Sequence, residues 1–298
     1  MNKLAFVGNS EPPAKLLELF RKQTPGNSGC WGNLQGIDNY EQADYFGVID
    51  VIPNDLRNRI REDKCVFLGA HPETMQAYRD MSSYKGIKMY DLKYNSGFLE
   101  WWIKYDYDMI KALQPPTKTE VLGAIVSNAR TQVYHTKRLD FLERFCYNVD
   151  KFNLYGRINP TGSLIKHYKY ACGSIDARGA SASGGNDHMS GKEEVYLQHK
   201  YMIEFDATGE HYFSERVLDC LFLWSLPIYW GGNALPKYLP EGSYFLLDIN
   251  GNGDDIKSLI KTDFYERNID NIAKARNILL DELQLWPRIH QAIYSRFK

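Results

Sequence analysis

Apolar residues recur along this chain in short unbroken runs separated by longer polar stretches with a helical period. The first half opens on Leu4-Ala5-Phe6-Val7-Gly8, and the runs YFGVIDV (45–51) and CVFLG (65–69) follow. Runs of this length between turn residues predict strands buried on both faces. Between them, Leu16, Leu17, Leu19 and Phe20 after Pro12-Pro13 predict a short helix. Residues 55–62 read as a charged helix, and a further helix is expected from Glu73. Leu99, Trp102, Ile103, Ile110 and Leu113 predict a helix over 99–113 that stops at Pro115-Pro116.

The two prolines and the Thr-Lys-Thr behind them mark a linker, so the chain divides into 1–116 and 117–298. A second alternating series then begins. EVLGAIV (120–126) predicts a strand, 136–147 a helix with Leu139, Leu142, Phe145 and Cys146 on one face, and 150–155 a strand ending in Tyr155-Gly156-Arg157. The Gly/Ser-rich stretch 173–191 has no periodicity and reads as a mobile loop. Strands are expected at 199–205, 226–230 and 243–248, a helix at 214–225, and mostly helix from 252 to 297 with a break near Pro287. The C-terminal helices are candidates to pack back on the N-terminal half. Strand–helix alternation implies an α/β protein with two Rossmann-like, doubly wound domains facing across a cleft. Ligands are then expected beyond the carboxyl ends of the strands.

Composition narrows the function classes. The formal net charge of the 298 residues is −1, without the basic excess of a general nucleic-acid binder. Aromatic residues make up 14%, including 21 tyrosines, which suits a sugar-handling cleft as well as an ordinary core. The most apolar stretch, 217–230, is short and interrupted by Asp219, Ser225 and Pro227, so no membrane span is expected. No signal segment is evident at the N-terminus. The five cysteines show no paired spacing, which fits free thiols and a cytoplasmic location.

The densest chemistry lies in FDATGEHYFSERVLDCLFLWSLPIYWGG (205–232). Ser214 is a good N-cap, and the N–H groups of a helix N-terminus attract phosphate. Arg216 on the first turn adds a full charge, Tyr212 a hydroxyl, and Glu215 a carboxylate suited to the vicinal hydroxyls of a ribose. The plainer alternative is a capped helix carrying a surface ion pair.

This segment resembles the donor-binding motif of the α-1,3-fucosyltransferases, inverting enzymes of glycosyltransferase family ten. The matching residues are Phe205-Asp206-Ala207-Thr208, Tyr212-Phe213-Ser214-Glu215-Arg216, Asp219 and Pro227-Ile228-Tyr229-Trp230-Gly231. Upstream, VSNARTQVYHTKRLDFLERF resembles the family's Ser-Asn strand end and helix-opening arginine, at Ser127, Asn128 and Arg138. VDKFNLYGR and KYMIEF resemble two further blocks. The likeness spans roughly 120–250. It implies a GT-B fold and a GDP-sugar donor, with GDP-fucose favoured, a glycan acceptor, and no cofactor or metal.

By the same resemblance, Glu215 meets the ribose, and Arg216, Tyr212 and Arg138 meet the diphosphate. Asn128, Arg157, Asp206 and Ser214 complete the donor site. The family's lysine is Arg216 here, and its Glu-Asn pair is Asp206-Ala207. The N-terminal half matches poorly. Its best block, VFLGAHPETM (66–75), offers His71 or Glu73 as the catalytic base. Two other readings stay open: a metal-dependent transferase using Asp106-Tyr107-Asp108, although i and i+2 residues on a helix point apart, and a non-catalytic nucleotide- or glycan-binding protein of the same fold.

Overall fold

A computed structural model describes residues 1–8, 11–68, 84–88, 101–170, 191–207 and 212–295. In the first half, β1 (Asn2–Gly8) pairs in parallel with β3 (Leu34–Ile37) on one side and β4 (Tyr45–Ile49) on the other. The series continues through β5 (Cys65–Leu68) to β6 (Ile87–Lys88). Leu4, Ala5, Phe6 and Val7 are all fully buried, as a strand covered on both faces requires. β2 (Cys30–Trp31) adds an antiparallel edge by a tight hairpin into β3, with Gly32 at positive φ in the turn. The order is β2-β3-β1-β4-β5-β6.

The second half builds an all-parallel sheet in the order β12-β11-β10-β7-β8-β9. Its strands are β7 (Glu120–Ile125), β8 (Asn153–Tyr155), β9 (Tyr168–Tyr170), β10 (His199–Phe205), β11 (Leu226–Trp230) and β12 (Phe245–Leu246). β10 lies at its centre, with Ile203 against Ala124 on one side and Ile228 on the other. The chain is thus α/β with two sheets, the first parallel but for its edge strand β2 and the second parallel throughout.

The helices follow the apolar periods. α1 (Pro13–Arg21) buries Leu16 and Phe20 and starts on Pro13, whose ring fits a first helical position. α2 (Tyr107–Ala112) is short, and α3 (Val133–Asn148) buries Leu139, Leu142, Phe145 and Cys146 as expected. α4 (Lys192–Gln198) and α5 (Glu215–Phe222) flank β10 in sequence. The C-terminal region is helical through Ile269–Ile278 and then through α6 (Leu285–Ser295). The expected break falls at Gln284, and Pro287 sits harmlessly in the first turn of α6.

Two expected helices fail. Residues 55–60 form successive turns, with Leu56 N–H on Pro53 O and Arg59 N–H and Ile60 N–H both on Leu56 O. Over the described part of 99–113, residues 101–106 are not helical. Carboxylates take the N–H groups that a helix would use internally: Trp102 N donates to Asp219 Oδ1 (2.9 Å) and Lys104 N to Glu193 Oε1 (2.6 Å). The helix expected from Glu73 and nearly all of the 173–191 stretch lie outside the described residues.

The core is divided. One large cluster covers the second sheet and takes in Trp101, Ile103 and Ile110. On the first sheet, Leu4, Phe6, Leu16, Phe20, Leu34, Val66 and Leu68 pack against Leu285, Trp286, Ile289, Ala292 and Ile293 of α6. Trp286 meets Phe6 edge-on at 5.3 Å, and its indole N–H reaches Phe20 O at 2.9 Å. The last helix therefore closes the core of the first sheet. Among the described residues, no helix is long and apolar enough to cross a membrane.

Candidate nucleotide-sugar site

The parallel pairing of β7, β8 and β10 brings their carboxyl ends to one edge of the second sheet. Three loops and two helix starts meet there. The loop after β7 carries Ser127 and Asn128, and the loop after β8 carries Arg157. Asn128 N donates to Arg157 O at 3.0 Å, which ties the loops by their backbones while both side chains stay exposed. Gly156 permits this approach: its φ is +108°, and a Cβ there would stand 2.1 Å from Val126 O.

Arg138 lies on the second turn of α3 and is 3% exposed. Its Nη2 donates to Ser127 O and Ser127 Oγ, both at 3.0 Å, whereas its Nε has no partner. Burial, and next the charge of Arg216, lower its pKa to about 10.

At the end of β10, Asp206 is buried. Its Oδ2 accepts from Ser214 N at 2.7 Å, and its own N–H reaches Trp230 O at 2.8 Å. This pins the start of α5 to the sheet edge. Ser214 is the N-cap, its Oγ accepting from Arg216 N. Gly231 passes so close to Asp206 that a Cβ there would be 2.1 Å from Tyr229 Oη and 2.9 Å from Asp206 Cβ. Burial raises the Asp206 pKa to about 6.

Arg216 is half-buried, not on the surface as a simple ion pair would have it. Burial works against its charge, but Glu215, Glu204 and Asp206 outweigh that and hold its pKa above the arginine value. Tyr212 is half-buried in the same field, and burial pushes its pKa up. The structure thus gathers Arg138, Asp206, Tyr212, Ser214, Glu215 and Arg216, with the exposed pair Asn128 and Arg157 on neighbouring loops. His71 and Glu73 lie outside the described residues.

Two groups at this edge were not singled out in the sequence reading. Glu204, two residues before Asp206 on the same face of β10, is 1% exposed; its Oε1 accepts from Tyr196 Oη at 2.9 Å, its Oε2 has no partner, and burial raises its pKa to about 8. His135, in the first turn of α3, sits beside Arg138. Its signal was available: Gln132 and His135 are spaced as a capping box.

Asp106 and Asp108 have structural partners. Asp106 caps α2 through Met109 N (2.8 Å) and accepts from Asn27 Nδ2 (2.8 Å), and Asp108 accepts from Gly26 N (2.6 Å). They hold the start of α2 to the turn at 25–27 within the first half of the chain.

The solved structures similar to this chain include an α1,3-fucosyltransferase, with a TM-score of 0.53 and 14% identity over 98% of this chain and 90% of that one. Another is an α1,3-fucosyltransferase with GDP-fucose, with a TM-score of 0.50 and 15% identity over 94% of this chain and 90% of that one. The chain has the fold of an α1,3-fucosyltransferase. No family model matches it, and no curated protein does. At this identity the likeness shows the fold alone, and most side chains differ.

Proposed function

We propose that this chain is an inverting glycosyltransferase that moves a sugar, fucose in the first instance, from a GDP-sugar to a hydroxyl of a glycan, without a divalent metal. One observation carries the reading. Two guanidiniums meet on the carboxyl edge of a parallel sheet: Arg138, almost wholly buried with its Nε unpartnered among the described residues, and Arg216, on the first turn of a helix capped by Ser214. An anion placed beside Arg138 offsets the cost that burial and Arg216 impose on its charge. The likeness to a fucosyltransferase solved with GDP-fucose supports a nucleotide diphosphate as that anion.

In this reading Arg216, Arg138 and Tyr212 hold the diphosphate, Glu215 meets the ribose, and Asn128 and Arg157 border the site. Asp206 and Ser214 act from beneath, fixing the helix start. A base, His71 or Glu73, takes the proton of the acceptor hydroxyl. The acceptor oxygen attacks the anomeric carbon opposite the phosphate, and the carbon–oxygen bond to the diphosphate breaks through an oxocarbenium-like transition state. GDP leaves with the bonding pair, and the two arginines stabilise the charge that it gains.

A thermal-shift panel tests this reading. GDP and GDP-fucose should stabilise the protein in chelator, by about 2.7 kcal/mol at 100 times the dissociation constant. Stabilisation only by UDP forms, or only with added metal, refutes it. His71→Ala and Glu73→Gln then locate the base: the true one should lower kcat by roughly 10²–10⁴-fold with donor affinity kept.

A further inference from the structure

We propose that His135 is a third hydrogen-bond donor of the diphosphate site, its proton placed on Nε2 by the capping box at the start of α3. The inference rests on the donor-site reading above.

α3 begins at Gln132, an N-cap whose backbone carbonyl accepts from His135 N at 3.0 Å. The His135 side chain in return accepts from the backbone of Gln132. In such a box the third residue is ordinarily Glu or Gln, whose side-chain oxygen is an acceptor. A histidine can take that place only through a ring nitrogen with a free lone pair. Here Gln132 N donates to His135 Nδ1 at 3.3 Å, and Thr131 Oγ1 lies 3.1 Å from the same atom. A backbone N–H can only donate, so Nδ1 is unprotonated and the proton of the neutral ring is on Nε2. Among the described residues, Nε2–H has no partner.

The ring stands beside the two cations of the site. Arg138 follows one turn later on the same helical face. It is almost wholly buried, and its Nε is unpartnered. Burial, then Arg138, then Arg216 lower the His135 pKa, which keeps the ring neutral and the box intact while both cations stand beside it. Tyr134 packs on the ring at 4.3 Å and limits its rotation. The site therefore offers two charged donors and one neutral donor of fixed tautomer. The neutral donor adds a hydrogen bond without adding repulsion to a pair of cations that already repel each other.

The test uses the full chain. Histidine-¹⁵N spectra should show a pyrrole-type Nε2 and a pyridine-type Nδ1 for His135 before any ligand is added, and GDP should shift the Nε2 resonance. His135→Glu keeps the capping acceptor and removes the donor. It should melt no lower than the parent yet bind GDP about tenfold or more weakly. His135→Gln supplies both an acceptor and an N–H, and should bind GDP within about threefold of the parent. An Nδ1–H tautomer, an Nε2 resonance that GDP binding leaves in place, or a Glu variant of parental affinity overturns the proposal. If GDP fails to bind the parent, the donor-site reading falls. Inorganic pyrophosphate then decides His135 separately: a shift of Nε2 supports the anion donor, and no shift overturns it.

Discussion

Glu204 puts a carboxyl group in the interior with a hydroxyl donor on one oxygen and nothing on the other. Burial raises its pKa from the ordinary 4.5 of a glutamate to about 8. Between those values the unfolded chain has lost the proton and the folded chain keeps it, so stability falls as pH rises through that window and levels off above it. Glu204→Gln keeps the acceptor for Tyr196 and abolishes the titration. It should match the parent near pH 4 and exceed it by on the order of 1–3 kcal/mol at pH 8, read from urea unfolding at both values. Arg216 behaves in the opposite way. Its charge faces Glu215 and Asp206, so Arg216→Ala should lower the apo melting temperature as well as nucleotide affinity, where a surface pair would have left the melt unchanged. An unaltered apo melt would contradict the buried network. The chemistry of 205–216 was legible because polar residues before an apolar helix stand out. Glu204 was not, because in KYMIEF a single acid among buried neighbours resembles an outward-facing strand position.

Elements obey the same logic one level up. α5 is held at its start by two acceptors, Ser214 Oγ on Arg216 N and Asp206 Oδ2 on Ser214 N. Ser214→Ala should cost about 0.5–2 kcal/mol and Ser214→Gly only a few tenths, as unfolding by denaturant can separate. Equal losses would mean that the cap bond is not what holds the turn. At its other end, Arg276 donates to Phe222 O and to Ile110 O, both at 2.7 Å, and stacks on Trp224. One cation thus serves the last turns of α5 and α2. The long apolar strands and α3 were read correctly because their periods are sustained. Residues 55–62 and 101–106 were misread because the periodic residues there are buried by turns and by distant carboxylates, and local spacing does not register a partner more than eighty residues away. The two-residue strands β2, β6 and β12 are too short to carry a pattern.

At the scale of the molecule, the two halves are bound by the chain's last helix. α6 leaves the helices of the second half and buries Leu285, Trp286, Ile289 and Ile293 on the first sheet. Trp286→Ala should cost about 3–5 kcal/mol, and calorimetry should show the first half melting ahead of the second. A single unshifted transition would contradict that assignment. Alternation alone predicted two parallel sheets. Which helix covers which sheet depends on contacts between residues as much as 292 positions apart, as from Asn2 to Tyr294, and no local pattern reports it.

That long reach has a consequence for how the protein is made. During synthesis, domains generally fold in order, the N-terminal one first. Here the opening sheet has Phe6, Phe20 and Leu68 waiting for an indole that emerges only after residue 286 has been translated. Most of the second half, which contains its own large core, can settle while the first still exposes an apolar face. Contacts of such high sequence separation form slowly. The nascent first half is therefore the aggregation-prone species, and the last helix acts as the clasp that ends its exposure.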